Sequence, residues 1–238
     1  MAHSGLMSRR AAEDLIARGR VTIDGRPARI GDRVDPDRQR VEIDGHAIPI
    51  RPGLVAYLLN KPPGVISTAN DPHGRPTVVG MVPQDPRVYP VGRLDADSEG
   101  LMLLTNDGTL ADLVMHPRYG IDKTYLVMVE GDPGPWVQQL VKGVDLDDGQ
   151  AAARSARVVD RAGGRTMVEL VMGEGRNREV RRMCAALDRR VLRLVRTAIG
   201  PIVDSALTPG AWRQLRPEEL ARLYAAAGPG LSGPPSSG

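Results

Sequence analysis

Apolar positions recur with a helical period near the start of the chain and with a period of two soon after it. Small and aliphatic residues repeat at helical spacing between Ser8, a residue type that caps helices, and Gly19, which predicts a helix over 9–18. The β-branched run 21–23, the Asp24-Gly25 turn and the alternation over 41–45 predict short paired strands. Residues 1–48 are therefore predicted to form a small module of one helix and a hairpin sheet.

A breaker-rich stretch at 49–54 is predicted to link this module to a larger domain at 55–227. In that domain apolar runs predict strands at 55–59, 101–105, 124–129, 166–171 and 191–197, and helical periodicity predicts helices at 109–115, 135–142, 178–187 and 217–226. Strands outnumber helices and no regular βαβ alternation is present, so we expect an α+β fold with a mixed, largely antiparallel sheet. The Gly, Pro and Ser residues of 228–238 predict a disordered tail.

Composition excludes several classes of protein. The chain of 238 residues is 41% hydrophobic and 26% charged, which is typical of soluble globular proteins. Its apolar runs, such as 101–104, are far shorter than the ~18 residues of a membrane helix, and no leader pattern opens the chain, so we expect a cytoplasmic protein. A single cysteine and four histidines without ligand spacing argue against a disulfide or a structural metal.

Arginine dominates the positive charge of the chain. Of the 32 basic residues 29 are arginine, and the net charge is +3. Arginine binds phosphate oxygens in pairs, which favours a polyanionic partner, although a genome with an arginine-rich codon bias would produce the same composition. In the small module the arginines predict either a nucleic-acid-binding face or a solvated helix surface; they are Arg9, Arg10, Arg18, Arg20, Arg26 and Arg29.

An acidic loop precedes the most apolar predicted strand. Asp95, Asp97 and Glu99 lie between Gly92 and Gly100. Their spacing matches the start of a calcium-binding loop, but the rest of that loop would be an apolar strand, which excludes calcium. Three interpretations stay open: one member of a glycosidase carboxylate pair, a lone carboxylate nucleophile held by arginines such as Arg93, or a polar turn.

Several segments in this chain closely resemble the RsuA/RluB/RluE/RluF-type pseudouridine synthases. The resemblance is carried by GRLD at 92–95, SEGL at 98–101 and LTNDG at 104–108, and in the family's order by NKPPGV at 60–65, KTYLV at 123–127 and GEGRNREVRRM at 173–183. The module before residue 50 resembles an S4 RNA-binding domain, but 1–7 stands where the family has a whole first helix. Either the module is incomplete or the recorded start is internal. The TNDG and MHPRY segments, at 105–108 and 115–119, are most similar to RluB-like large-subunit members.

The resemblance implies that a specific uridine in rRNA, expected to be 23S rRNA, is flipped out and isomerised to pseudouridine without cofactor or metal. It implies that Asp95 is the nucleophile, that Tyr125 packs against the uracil and moves a proton, and that Arg181 pairs with Asp95 and keeps it ionised. The alternative for Tyr125 is a strand tyrosine with its ring in the core. We expect a monomer whose partner is rRNA and not a membrane.

The remaining candidate residues are assigned to substrate or RNA. Arg93 is expected to fill the gap left by the flipped base or to hold a phosphate, and Lys61 to lie in a rigid loop near the site, unless it is simply solvated. Arg176, Arg178 and Arg182 are assigned to RNA phosphates or structural pairs, and Arg9, Arg10, Arg18 and Arg20 to RNA phosphates. Glu179 stands where the family usually has glutamine, and Cys184 is expected in the core. A non-enzymatic RNA-binding assembly factor is the alternative function, against which the intact Asp95, Tyr125 and Arg181 argue.

Overall fold

The computed structural model of the chain describes residues 9–35, 38–48 and 53–226, and the backbone alone of Arg9. The predicted tail at 228–238, most of the predicted linker at 49–54 and the segment expected to replace a first helix lie outside the described residues.

The N-terminal module contains the predicted helix and strands. Helix α1 (Arg9–Ala17) packs on an antiparallel sheet in the order β2-β1-β3-β4, formed by β1 (Val21–Ile23), β2 (Arg26–Pro27), β3 (Val41–Ile43) and β4 (His46–Ile48). Both tight turns have an Asp-Gly pair with positive φ, which is the backbone conformation that a two-residue hairpin turn requires. A small core containing Leu15, Val21, Val41 and Ile43 holds the helix on the sheet.

The large domain is a mixed sheet covered by helices, as the sequence predicted. Its strands are β5 (Ala56–Lys61), β6 (Tyr89–Val91), β7 (Glu99–Thr105), β8 (Lys123–Glu130), β9 (Val144–Leu146), β10 (Gly149–Ala151), β11 (Ser155–Ala162), β12 (Arg165–Met172), β13 (Val191–Ile199), β14 (Ile202–Val203) and β15 (Trp212–Gln214). The main sheet runs in the order β11-β12-β8-β13-β7-β5-β15, with β6 and β14 beside it, while β9 and β10 form a separate hairpin. In the described chain only β13 and β7 pair in parallel.

Four helices complete this domain, and all four were predicted with ends within two residues. They are α2 (Gly108–Met115), α3 (Trp136–Lys142), α4 (Glu179–Ala186) and α5 (Pro217–Ala226). None of the helices in the described part of the chain is long and apolar enough to cross a membrane.

Helix α5 contributes to the cores of both domains. Leu220 and Leu223 lie in the core of the large domain, whereas Ala221 is buried in the core of the N-terminal module, where α5 packs on β3 and β4. An ion pair of 3.8 Å between Arg20 and Glu218 lies at the same contact. The large domain therefore supplies part of the surface on which the small module packs.

The TNDG segment at 105–108 joins the start of β5 to helices α2 and α5 by hydrogen bonds. The Thr105 hydroxyl donates to the carbonyl of Val55 at 2.5 Å, and the Asn106 side chain accepts from the N–H of Val55 at 2.8 Å. Asp107 caps α2 and accepts a 2.8 Å hydrogen bond from the hydroxyl of Tyr224 on α5, whose pKa is raised by burial and by this carboxylate. These contacts give the segment a structural role at the junction of the domains.

Candidate active site

Asp95 lies in a loop between β6 and β7 that is held on both sides of the carboxylate. Before it, Leu94 is buried, and its backbone exchanges two hydrogen bonds with the Ser67 hydroxyl, at 2.7 and 3.1 Å. After it, the Gly64 N–H donates to the carbonyl of Ala96 at 2.7 Å. The loop is therefore a rigid support for the Asp95 side chain.

Lys61 is the second support of this loop. It is completely buried, and its ammonium donates to the carbonyls of Pro62, Ala96 and Ser98 at 3.1, 3.3 and 2.6 Å. Burial lowers the pKa of Lys61 to about 8 against the opposing effect of the nearby carboxylates. Because Lys61 is buried, the predicted contact with RNA is wrong, and so is the alternative of a solvated lysine. Its ammonium instead binds three backbone carbonyls inside the protein.

Gly100 allows the loop to lie against the centre of the sheet. Its φ is +107°, and a Cβ at this position would overlap the backbone of Arg196 on the parallel neighbour β13. Only glycine fits such a close approach of two strands with this backbone conformation.

Two arginines from the start of α4 face Asp95. The Arg178 Nη1 lies 3.4 Å from a carboxylate oxygen of Asp95, and the Arg181 Nε lies 4.0 Å from the same oxygen. Arg181 also reaches Asp97, with Nη2 3.3 Å from its carboxylate and 3.1 Å from its backbone carbonyl. Arg178, assigned from the sequence to phosphates or structural pairs, is thus closer to Asp95 than Arg181 is.

The two cations differ in solvent exposure. The Arg181 side chain is 13% exposed and its Nε has no hydrogen-bond partner among the described residues, whereas the Arg178 side chain is 46% exposed. Because a charge acts more strongly where water is excluded, we expect Arg181 to be the stronger electrostatic partner despite the longer distance. Arg178 has φ of +47° immediately before α4, which is an uncommon backbone conformation for an arginine.

Asp95 opens into a cavity of about 500 Å³, a size typical of small-ligand pockets. Tyr125 lies in the cavity wall and also packs on the neighbouring cores, so its ring is both part of the packing and accessible from the cavity. Two cations that the sequence reasoning missed, Lys123 and Arg196, lie in the same wall. Each lies in a segment whose apolar neighbours predict only a core strand. The pairing of β8 with β13 brings both side chains to the site.

The other arginines predicted to contact RNA at this site differ in whether they are paired with a carboxylate of the protein. Arg93 is exposed at the cavity, and no ion pair or hydrogen bond of its side chain occurs among the described residues. Arg182 forms a two-pronged pair with Asp148, with both distances 2.9 Å, and Arg176 binds Glu174 at 3.0 Å. Arg176 and Arg182 thus form the structural pairs that were one of their two predicted roles.

In the N-terminal module the predicted contacts also differ. Arg10 is exposed, and Arg18 is exposed and paired with Asp14 at 3.0 Å. Arg20 is held by Asp44 in two hydrogen bonds of 2.9 and 2.5 Å in addition to its pair with Glu218. The side chain of Arg9 lies outside the described residues. A second concavity in this module is lined by three further arginines, Arg26, Arg29 and Arg33.

Glu179 and Cys184 are both buried on α4. Burial and the neighbouring Glu174 raise the pKa of Glu179 to about 7, while one of its oxygens accepts the N–H of Arg176 at 3.1 Å. Burial therefore disfavours the charged form of this side chain. Cys184 lies in the predicted core, where burial raises its pKa to about 12.

Comparison with known proteins identifies the family. Residues 55–186, which hold the Asp95 loop, Tyr125 and Arg181, match the RNA pseudouridylate synthase family. The chain belongs to this family. Residues 1–39 of this pseudouridine synthase match the S4 domain. It is 44% identical to an uncharacterised RNA pseudouridine synthase of Mycobacterium bovis, over 96% of this chain and 92% of that protein.

Two further similarities cover nearly the whole pseudouridine synthase. It is 40% identical to the ribosomal large subunit pseudouridine synthase B of Bacillus subtilis, over 95% of this chain and 94% of the relative. A crystal structure of a pseudouridylate synthase superposes with a TM-score of 0.64 at 27% identity, covering 93% of this chain and 95% of that one. The relatives therefore share both the N-terminal module and the larger domain.

Replacing Lys61 with methionine should lower the rate of pseudouridine formation by about 100-fold, because displacement of a catalytic group by an ångström has costs of that order. The change removes the two hydrogen bonds to Ala96 and Ser98 of the loop but no exposed charge, so RNA affinity should stay within about threefold. Single-turnover rates and filter-binding affinities measure the two effects.

The matched control for this change is Lys142→Met, which removes an exposed lysine at the end of α3. Ser67→Ala, which loosens the other side of the loop, should lower the rate by about tenfold. If both Lys61→Met and Ser67→Ala keep the wild-type rate, these two side chains are not required to position Asp95.

Proposed function

We propose that this enzyme converts a uridine of 23S rRNA to pseudouridine, with Asp95 as the nucleophile acting on a flipped-out uridine. The observation that supports it most directly is the site itself: a rigidly held carboxylate beside two guanidinium groups, at the mouth of a cavity that contains Tyr125. The choice of large-subunit rRNA rests on the printed name of the Bacillus subtilis relative.

The chemistry requires an anion next to the sugar. When the bond between N1 of uracil and C1′ of the ribose breaks, its electron pair goes to N1, and C1′ becomes electron-poor. A carboxylate can stabilise or trap that carbon. Arg181 and Arg178 lie beside the Asp95 carboxylate, 4.0 and 3.4 Å from the same oxygen, while Tyr125 provides an aromatic face for the uracil. The base then turns and rejoins C1′ through C5.

The direct test is to incubate the pure protein with unmodified large-subunit and small-subunit rRNA transcripts and to map pseudouridine in each. We expect one modified uridine, in the large-subunit transcript. Large-subunit particles from a strain that lacks the enzyme should be run in parallel as a second substrate. Modification of small-subunit rRNA alone would overturn the large-subunit assignment, and inactivity on every substrate would overturn rRNA as the target.

The N-terminal module is proposed to bind rRNA phosphates through exposed arginines such as Arg10 and Arg18. Deleting residues 1–49 should weaken rRNA binding and reduce the salt dependence of the affinity, since fewer counterions are released. The remaining domain should fold, because α5 keeps Leu220 and Leu223 in its core, but at a lower melting temperature, because Ala221 becomes uncovered.

The charge-only counterpart of this deletion is the double variant Arg10→Gln/Arg18→Gln in the full chain. It should reduce the salt slope without the loss of melting temperature. An unchanged salt slope in both proteins would place rRNA binding in the large domain instead.

A further inference from the structure

Three cations from three strands lie near the Asp95 loop and the cavity. Lys61 of β5 and Arg196 of β13 are buried, with Arg196 5% exposed, and Lys123 of β8 is half-buried. Burial is the main cause that lowers the pKa of both lysines to about 8, and the charge of Arg196 is a smaller cause in the same direction. Arg196 is therefore close enough to both to repel them, and this part of the protein carries concentrated positive charge.

Strand pairing places Arg196 at the reaction centre. It pairs with Tyr125 on the antiparallel neighbour β8 and with Gly100 on the parallel neighbour β7. Residues paired directly across strands present their side chains on the same face of the sheet, so Arg196 and Tyr125 are neighbours in the cavity wall. Lys123 lies two residues before Tyr125 and faces the same way.

Lys123 and Arg196 differ in how completely their donors are hydrogen-bonded. Lys123 donates to the carbonyls of Val114 and Ile121 at 2.8 and 2.6 Å. Arg196 donates through Nε to the carbonyl of Leu101 at 2.6 Å, but its Nη2 is buried without a hydrogen-bond partner among the described residues. No ion pair joins Arg196 to a carboxylate of the described chain, whereas Arg178 and Arg181 are both paired with Asp95 and Asp97.

A buried guanidinium with an unused donor is costly unless a ligand supplies the acceptor. Because Arg196 shares the cavity wall with Asp95 and Tyr125, a nucleotide bound in the cavity could supply that acceptor. The cavity is expected to gain negative charge at one stage of the reaction, when the base has left C1′ and carries the electron pair of the broken bond. The charge is then spread over N1 and the two carbonyl oxygens of the ring.

We propose that Arg196 is a catalytic residue that stabilises the negative charge of the uracil ring while the ring is detached from the ribose. The proposal rests on the proposed function. In the balanced reaction the N1–C1′ bond breaks, a C5–C1′ bond forms, C5 releases a proton and N1 takes one up, so the ring begins and ends neutral. Arg196 interacts most strongly with the anion between these states and so lowers the barrier more than it tightens binding.

The first test compares Arg196→Met and Arg196→Lys with the wild type in single-turnover assays on the rRNA fragment that the wild type modifies. Arg196→Met should lower the rate by about 100-fold or more while RNA affinity stays within about threefold, and Arg196→Lys should recover part of the rate. The matched control is Arg157→Met. It removes an exposed arginine of the edge strand β11, which pairs with Glu169 of β12, and it should keep the wild-type rate.

A second substrate separates charge stabilisation from a structural role or a phosphate contact. In RNA transcribed with 5-fluorouridine, the fluorine withdraws electrons and stabilises the detached anion by itself. The penalty of Arg196→Met on the consumption of 5-fluorouridine should therefore be at least about tenfold smaller than its penalty on uridine. A misfolded site or a lost phosphate contact would slow both nucleosides equally.

The outcomes are distinct. Equal penalties on the two nucleosides, or a wild-type rate for Arg196→Met on uridine, would overturn the proposal for Arg196. Should Arg196→Met unfold below the assay temperature, Arg196→Gln and Arg196→Lys carry the same comparison. Failure of the wild type to modify any rRNA would instead count against the proposed function.

Discussion

Replacing Asp95 with asparagine should abolish pseudouridine formation while rRNA affinity stays within about threefold, because the amide cannot act as an anionic nucleophile and no phosphate contact is removed. The loss should be about 1,000-fold or more, since Ser67 and Lys61 hold the backbone on either side of Asp95 and no other carboxylate of the described chain is held in this position. Single-turnover pseudouridine mapping and binding titrations measure the two quantities.

The matched control is Asp97→Asn, two residues further along the same loop. The Asp97 side chain is 55% exposed, contacts Arg181 and Arg178 and is not part of the cavity lining, so its loss should cost about tenfold. Activity of Asp95→Asn above about a tenth of the wild type would reject the nucleophile assignment.

Arg181→Ala should reduce the rate by about 100-fold to 1,000-fold, because it removes the more buried of the two charges beside Asp95. Arg181→Lys should keep a measurable part of the rate, since lysine retains the charge but cannot reach Asp97 and Ser98 with the geometry of a guanidinium. Single-turnover rates of both variants at saturating RNA provide the comparison.

Arg178→Ala is the informative control because Arg178 is nearer to Asp95 but much more exposed. Solvent screening should limit its effect to about tenfold. If Arg178→Ala is the more damaging change, distance outweighs burial at this site, and Arg178 takes the role assigned to Arg181.

Regular elements with a buried face could be predicted from the sequence, and exposed or interrupted ones could not. The strand at 101–105 carries the continuous apolar run 101–104 and the strand at 166–171 is mostly apolar, and both are present as β7 and β12. The edge strand β11 was missed because charged residues occupy much of it and most of its side chains are exposed. Strand β6 contains Pro90, and β9 and β10 have three residues each, too few to show a period.

At the site, the residue types could be predicted from the motifs, but their environments could not. Asp95 and Tyr125 lie together at the cavity, whereas the burial of Lys61 depends on carbonyls from residues 62, 96 and 98 that converge only in the folded loop. The approach of Arg178 to Asp95 depends on a positive φ, and the place of Arg196 depends on strand register. Neither the backbone conformation of Arg178 nor the register of β13 can be predicted from the local sequence.

Helix α5 has a consequence for the order in which the chain matures. The core of the N-terminal module includes Ala221, and Arg20 reaches Glu218, so a module made before the catalytic domain is completed by a helix made after it. Domains generally fold in order as they leave the ribosome, but here the core of the S4 module is complete only once α5 has been made. If the module binds rRNA as proposed, full affinity should arise only after the catalytic domain has been made.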